Sequence, residues 1–189
     1  MEEKKRKTDR RTLYTRKVIM DAYIQLVKEK PREKIKITEL CNRAEINRCT
    51  FYLHFQDISE VELAIRDELL KRFGSFVQTQ RPTEKNRKKA SDNFIEKLME
   101  DDTYVTLMKA TDPMDLVAGF VAPYFQTLKD TLPPGHGLSE REQELLYSFL
   151  VGGILSVQHN WILNHSNVRK ENPFLDRMIQ TLVTEIGKD

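Results

Sequence analysis

The run Ile46-Asn47-Arg48-Cys49-Thr50-Phe51-Tyr52-Leu53-His54-Phe55 constrains the fold of this chain more than any other stretch. Phe51 and Phe55 stand four residues apart, so on a helix they share one face and can enter a small core. Arg48 and Tyr52 are also four apart, on a neighbouring face, with Asn47, Thr50 and His54 close by. A short helix with an aromatic underside and a rim of Arg, Thr, Tyr and His suits a DNA groove. The competing reading is that Tyr52 and His54 merely complete a small helical core.

The flanking sequence reads as helix as well. Val18, Ile19, Ala22, Tyr23, Leu26 and Val27 form an apolar stripe on a first helix over 13–28, and Pro31 closes the turn behind it. A second helix spans about 37–44, with Leu40, Cys41 and Ala44 inward and Glu39 in the favourable first turn. Glu45-Ile46 makes a turn, and Asn47 is a good N-cap for the third helix. Asp57 is placed to cap a fourth, which carries Leu63, Ile65, Leu69, Leu70 and Phe73.

Residues 79–91 are polar and read as a linker or loosely held loop. Weaker helical patterns follow near 92–100, 102–110 and 113–131, then a break at Pro133-Pro134-Gly135-His136-Gly137. Ser139 and Glu142 form a capping-box pattern that opens a long apolar helix over about 140–164. A last helix over about 173–186 repeats Phe174, Met178, Leu182 and Ile186 at a spacing of four. The fold class expected is therefore all-α, with about nine helices.

The net charge of +2 over 189 residues hides an asymmetry. Residues 1–56 hold 15 Lys and Arg against 8 Asp and Glu, whereas 57–189 hold 16 against 21. A basic front suggests a polyanionic partner, although a solubilising tail at 4–11 would give the same count. No apolar run approaches the roughly 18 residues of a transmembrane helix, and no signal peptide is evident, so the cytoplasm is the expected location and no membrane partner is expected. Cys41 and Cys49 are expected to be reduced thiols.

Helices two and three, joined by a short turn, have helix-turn-helix proportions over about 36–55. The second helix of such a unit enters the major groove, where its first turn meets base edges. Arg48 lies in that turn, and its planar fork can donate twice to guanine, worth roughly 1–3 kcal/mol of discrimination. Thr50 suits a thymine methyl or a phosphate, while Tyr52 and His54 have polar tips for phosphate oxygens.

The run 35–44, Ile-Lys-Ile-Thr-Glu-Leu-Cys-Asn-Arg-Ala, followed by 46–55, resembles the DNA-binding domain of TetR-family transcriptional regulators, and the likeness extends over 13–73. The resemblance implies a homodimer of three-helix, homeodomain-like heads on an all-helical body, usually a repressor of a pseudo-palindromic operator in double-stranded DNA. At the matching positions it implies DNA contacts from Lys36, Thr38, Asn47, Arg48, Cys49, Thr50, Tyr52 and His54. The sequence departs from the family pattern at Glu45 and Cys49, where Gly is frequent, at Leu53, where an aromatic is frequent, and at Ile58, where a phosphate-binding Lys is frequent. The helix-four amides at 57–59 remain a candidate phosphate site. Arg10, Arg11 and Arg16, with the basic residues of an N-terminal arm over 1–12, are further candidates for contact; a disordered tail that raises non-specific affinity through counterion release is the alternative.

The body, 74–189, resembles the shorter regulatory domains of the same family weakly. Gly152-Gly153 inside a helix costs about 1 kcal/mol per Gly relative to Ala, which suggests close approach of another helix. In this family the last two long helices commonly pair two copies. Leu145, Leu146, Phe149, Gly153, Val157, Met178, Leu182 and Ile186 are the expected dimer residues; packing inside one copy is the alternative. Phe94, Tyr104, Met108, Phe120, Tyr124 and Trp161 could line a pocket for a small-molecule effector, or form ordinary core.

The four histidines show no metal-ligand spacing, and there is no phosphate-binding glycine loop or nucleophile elbow. The sequence reading is a non-enzymatic regulator needing no metal or cofactor, with Cys49 a small packing residue rather than a redox switch. Its rival is a protein-interaction module or coactivator that pairs with another regulator and binds DNA weakly.

Overall fold

The computed structural model describes residues 2–80, 96–111, 115, 138–164 and 168–185. Every regular element among them is helical: α1 (Glu2–Glu29), a 3₁₀ turn (Arg32–Lys34), α2 (Ile37–Arg43), α3 (Arg48–Tyr52), α4 (Ile58–Gln80), α5 (Asp102–Ala110), α6 (Glu140–Asn164) and α7 (Val168–Glu185), with a further helical stretch over 96–100. The chain divides into two compact units, Met1–Glu68 and Leu69–Asp189, and the division falls inside α4.

In the first unit, α1 begins well before position 13, where its apolar stripe was expected to start it. The stretch behind that stripe is rich in Lys, Arg and Glu and lacks Gly and Pro, so nothing in it stops a helix. Pro31 disfavours helical backbone at Lys30 and opens the 3₁₀ turn instead. Ile19, Tyr23 and Leu26 of α1, Leu40 and Cys41 of α2, and Val61 and Ile65 of α4 are all buried with Phe51 and Phe55. α2 packs on both α1 and α3. Tyr23 donates its phenolic hydrogen to Glu62, tying α1 to α4. Arg32 and Arg66 lie 3.6 and 3.8 Å from the same carboxylate. Burial, and then the Glu62 carboxylate, push the Tyr23 phenol well above its ordinary range, so it stays a hydrogen-bond donor.

In the second unit, Asp101 caps α5 by accepting from the Tyr104 amide at 3.0 Å and pairs with Arg72. α6 opens with the expected capping box: the Ser139 amide and hydroxyl donate to Glu142 at 2.8 and 2.6 Å. Two apolar clusters follow. Trp161 and Leu175 pack with Met99, Val157 and Ile179, and Leu146, Tyr147 and Leu150 pack with Leu138, Ile179 and Leu182. α7 starts at Val168 rather than at Pro173, so the proline lies inside the helix and withdraws one backbone donor. The helix formers Arg169-Lys170-Glu171 ahead of it explain the earlier start. The helix expected over 113–131 lies outside the described residues apart from position 115. No helix among the described residues is long and apolar enough to cross a membrane.

Candidate nucleic-acid interface

The turn between α2 and α3 is built from the backbone outward. Glu45 has φ of 53°, the left-handed conformation that Gly adopts without cost. The Glu45 amide donates to the Asn42 carbonyl at 3.2 Å and the Ile46 amide to that of Cys41 at 3.0 Å. This pair of bonds closes the end of α2 in a Schellman motif, which requires a left-handed residue at that place. Glu45 therefore carries about 1–2 kcal/mol of backbone strain that Gly would avoid.

Asn47 caps α3 as its residue type suggested, with Oδ1 accepting from the Thr50 amide at 2.7 Å. The Thr50 hydroxyl donates to the same oxygen at 3.0 Å. A phosphate offers only acceptors, so this hydroxyl is no longer a phosphate donor, and the Thr50 methyl is the group left for a base. The Asn47 side-chain amide nitrogen keeps its two donors.

Below the helix, Phe51 is 0% exposed and Phe55 1%, with ring centres 6.1 Å apart. Tyr52 meets Phe51 edge-on, with ring centres 5.4 Å apart, and is 52% exposed. Arg48 and Cys49 are exposed, as are Lys36 and Thr38 at the start of α2; His54 is half-buried. The eight candidate contact residues thus surround one short helix and the N-terminus of the helix packed on it. Cys49 is exposed, so it is not a packing residue; Cys41 is the buried thiol, and burial raises its pKa.

The regular helix stops at Tyr52, three residues before Phe55, where the expected helix ended. Leu53 and His54 form the closing turn, and Leu53 projects outward at 81% exposure. The start of α4 is closed by its own side chains: the Glu60 amide donates to Asp57 at 2.9 Å and the Gln56 amide to Glu60 at 2.6 Å. Two carboxylates at a helix N-terminus repel a phosphate, which argues against the site expected at 57–59.

Sequence reasoning missed the contacts that hold this surface in place. Arg16 donates to the His54 carbonyl at 2.6 Å and stacks on Phe55, so it is not a free arm residue. Arg43 grips Glu29 through two bonds of 2.8 Å, and Lys30 pairs with Glu39. The Arg43 bonds hold the Glu29 carboxyl below its ordinary range. Arg43 and Glu29 are 14 residues apart, and Arg16 and His54 are 38 apart, so no local pattern announces either.

In the second unit the eight residues expected to pair two copies divide into groups. Leu145, Phe149 and Met178 are exposed, and beyond Gly153's own stretch of helix no described atom lies within 4 Å of where its Cβ would stand. Phe174 is exposed beside Met178 on α7. Leu146, Val157 and Leu182 pack inside the chain, and Ile186 lies outside the described residues. Of the expected pocket residues, Tyr104, Met108 and Trp161 are buried, with the Tyr104 hydroxyl bonded to Gln158. Phe94, Phe120 and Tyr124 lie outside the described residues. Among the described residues no group of three or more His, Cys, Asp or Glu is placed to hold a metal ion.

No family model and no curated protein sequence matches the chain. Its fold is similar to that of a solved structure, "Dihydroxyacetone kinase operon activator DhaS", at 15% identity and a TM-score of 0.61, over 91% of this chain and 97% of that one.

Proposed function

We propose that this chain is a sequence-specific, DNA-binding transcriptional regulator of the TetR type. Its base-reading element is α3, and it acts as a homodimer on a pseudo-palindromic site in double-stranded DNA. The observation that carries the reading is the two-sided geometry of α3. Phe51 and Phe55 are buried, while Asn47, Arg48 and Tyr52 are exposed, as are Lys36 and Thr38 at the start of α2. In this reading Arg48 meets base edges, Tyr52, His54 and Lys36 set the register on phosphates, and 13–73 forms the DNA-binding domain. The body, 74–189, pairs two copies through Leu145, Phe149, Gly153 and Met178, and an effector held near Tyr104, Met108 and Trp161 would act by changing the separation of the two heads. That separation must match one turn of DNA, about 34–36 Å, or a multiple of it.

The test is binding of wild type and of Arg48→Ala with Tyr52→Phe to a duplex selected from random sequence and to an unselected duplex. The reading expects the double variant to lose its preference for the selected duplex. Equal preference in both proteins would overturn the assignment of α3.

Two observations favour a second reading, in which the body recruits another regulator and the head binds DNA weakly. Leu53 is largely exposed where family members carry an aromatic phosphate contact, and carboxylates fill the N-terminus of α4. The similar structure is an operon activator by name, which leaves activation as open as repression for this chain. A salt titration separates the readings: steep salt dependence with sequence preference favours the first, and flat, weak binding beside a stable protein complex favours the second.

A further inference from the structure

Arg16 sits on α1, yet its guanidinium closes the far end of the reading helix. Nη1 donates to the His54 carbonyl oxygen at 2.6 Å, and the guanidinium carbon stands 4.1 Å from the centre of the Phe55 ring. The side chain is half-buried between them.

α3 has five residues, far below the roughly 12–15 that an isolated helix needs for marginal stability. Its direction is therefore imposed from outside. At the front, Asn47 fixes the first turn; in the middle, Phe51 anchors the helix in the core. At the back, the Leu53 amide bonds to the Cys49 carbonyl and the His54 amide to that of Phe51, so the closing turn is continuous with the helix. Arg16 holds that turn by its last carbonyl and by the ring that follows. A cation at a helix C-terminus also suits the helix dipole.

We infer that Arg16 is a positioning residue for base reading, setting the tilt at which α3 presents Arg48 and Tyr52 without itself contacting DNA. The inference rests on the reading of α3 as the base reader. It differs from the role of an N-terminal arm residue, which would neutralise a phosphate. Lysine is a poor substitute in this role, because it keeps the charge and a donor but cannot lie flat on the ring.

The experiment compares wild type, Arg16→Met, Arg16→Lys and Arg48→Ala for the ratio of affinities for a wild-type-selected duplex and a random duplex, over a salt series, with thermal unfolding of each protein. Arg16→Met is expected to lower the ratio about tenfold, within the range of one lost base contact, while the salt slope on random duplex stays at the wild-type value. Arg16→Lys should fall between the two. A uniform loss on both duplexes, with a slope shallower by about 0.9, would make Arg16 a phosphate contact and overturn the inference. An unchanged ratio in folded Arg16→Met, or in Arg16→Lys if the Met variant does not fold, would leave Arg16 a purely structural residue and overturn it too. Arg48→Ala separates the failures. If it collapses the ratio and the Arg16 variants do not, the inference alone falls; if it too leaves the ratio intact, the reading of α3 falls with it.

Discussion

Two phenylalanines on helices of very different length show how the two units divide their work. Phe51 belongs to a helix of five residues and is 0% exposed; Phe149 belongs to one of 25 residues and is 67% exposed. In the first unit Phe51 of α3 and Phe55 behind it are buried, while Asn47, Arg48, Cys49 and Tyr52 are exposed. In the second unit α6 and α7 fill their own clusters and still leave Leu145, Phe149, Phe174 and Met178 outside. One surface presents cationic and polar groups and the other exposed apolar ones. Contact with either must be matched in kind, because an uncovered apolar patch and an unpaired charge each lose free energy when they meet the wrong surface.

The largest effect is expected inside the first unit. Phe51→Ala should destabilise it by about 3–5 kcal/mol, enough to unfold a unit of this size, as read by circular dichroism melting. Phe149→Ala should leave the melting of that unit nearly unchanged; a large loss there would end the contrast between the two rings.

Next is the outer face of α6. Leu145→Asp with Phe149→Asp should weaken self-association at least about a hundredfold, because two charges would enter a desolvated apolar contact. Sedimentation equilibrium reads this directly. An unchanged association constant would place the pairing surface elsewhere. Arg48→Ala follows, with about 1–3 kcal/mol lost in discrimination between selected and random duplexes and no change in melting.

The Glu45 turn gives a smaller effect of opposite sign. Glu45→Gly should stabilise the first unit by about 1 kcal/mol, since the residue already holds a left-handed φ. Destabilisation would mean that the Glu45 side chain matters more than its backbone. The smallest effect is expected at the exposed Glu29–Arg43 pair. The Glu29 carboxyl titrates below its ordinary value when folded, chiefly through its bonds to Arg43. Its contribution is therefore present above the unfolded carboxylate value and is lost as pH falls through the folded one. The melting difference between wild type and Glu29→Gln should be slight at neutral pH and vanish in acid; a difference that grows in acid would contradict the sign.

What could be read from sequence followed chemical distance along the chain. The Asn47 cap and the Ser139–Glu142 box are each completed within three residues, so local pattern sufficed. The burial of Phe51 and Phe55 followed from their spacing on one face. The clamps from Arg16 to His54 and from Tyr23 to Glu62 join residues 38 and 39 apart, and only the packed structure brings them together. Thr50 was readable as a polar residue of α3, but its hydroxyl is engaged by the same oxygen that caps the helix. The end of α3 was misplaced because Leu53 suits a helix equally well, whereas here Leu53 and His54 form a turn whose last carbonyl accepts from Arg16.

The central claim is that one reading helix per copy is set at groove spacing by pairing of the bodies. Selection of bound duplexes from a random pool, followed by sequencing, tests it most directly. The account predicts two inverted half-sites whose centres lie about 10–10.5 base pairs apart, or a multiple of that. Enrichment of a single, asymmetric half-site, or no enrichment above the starting pool, would contradict it.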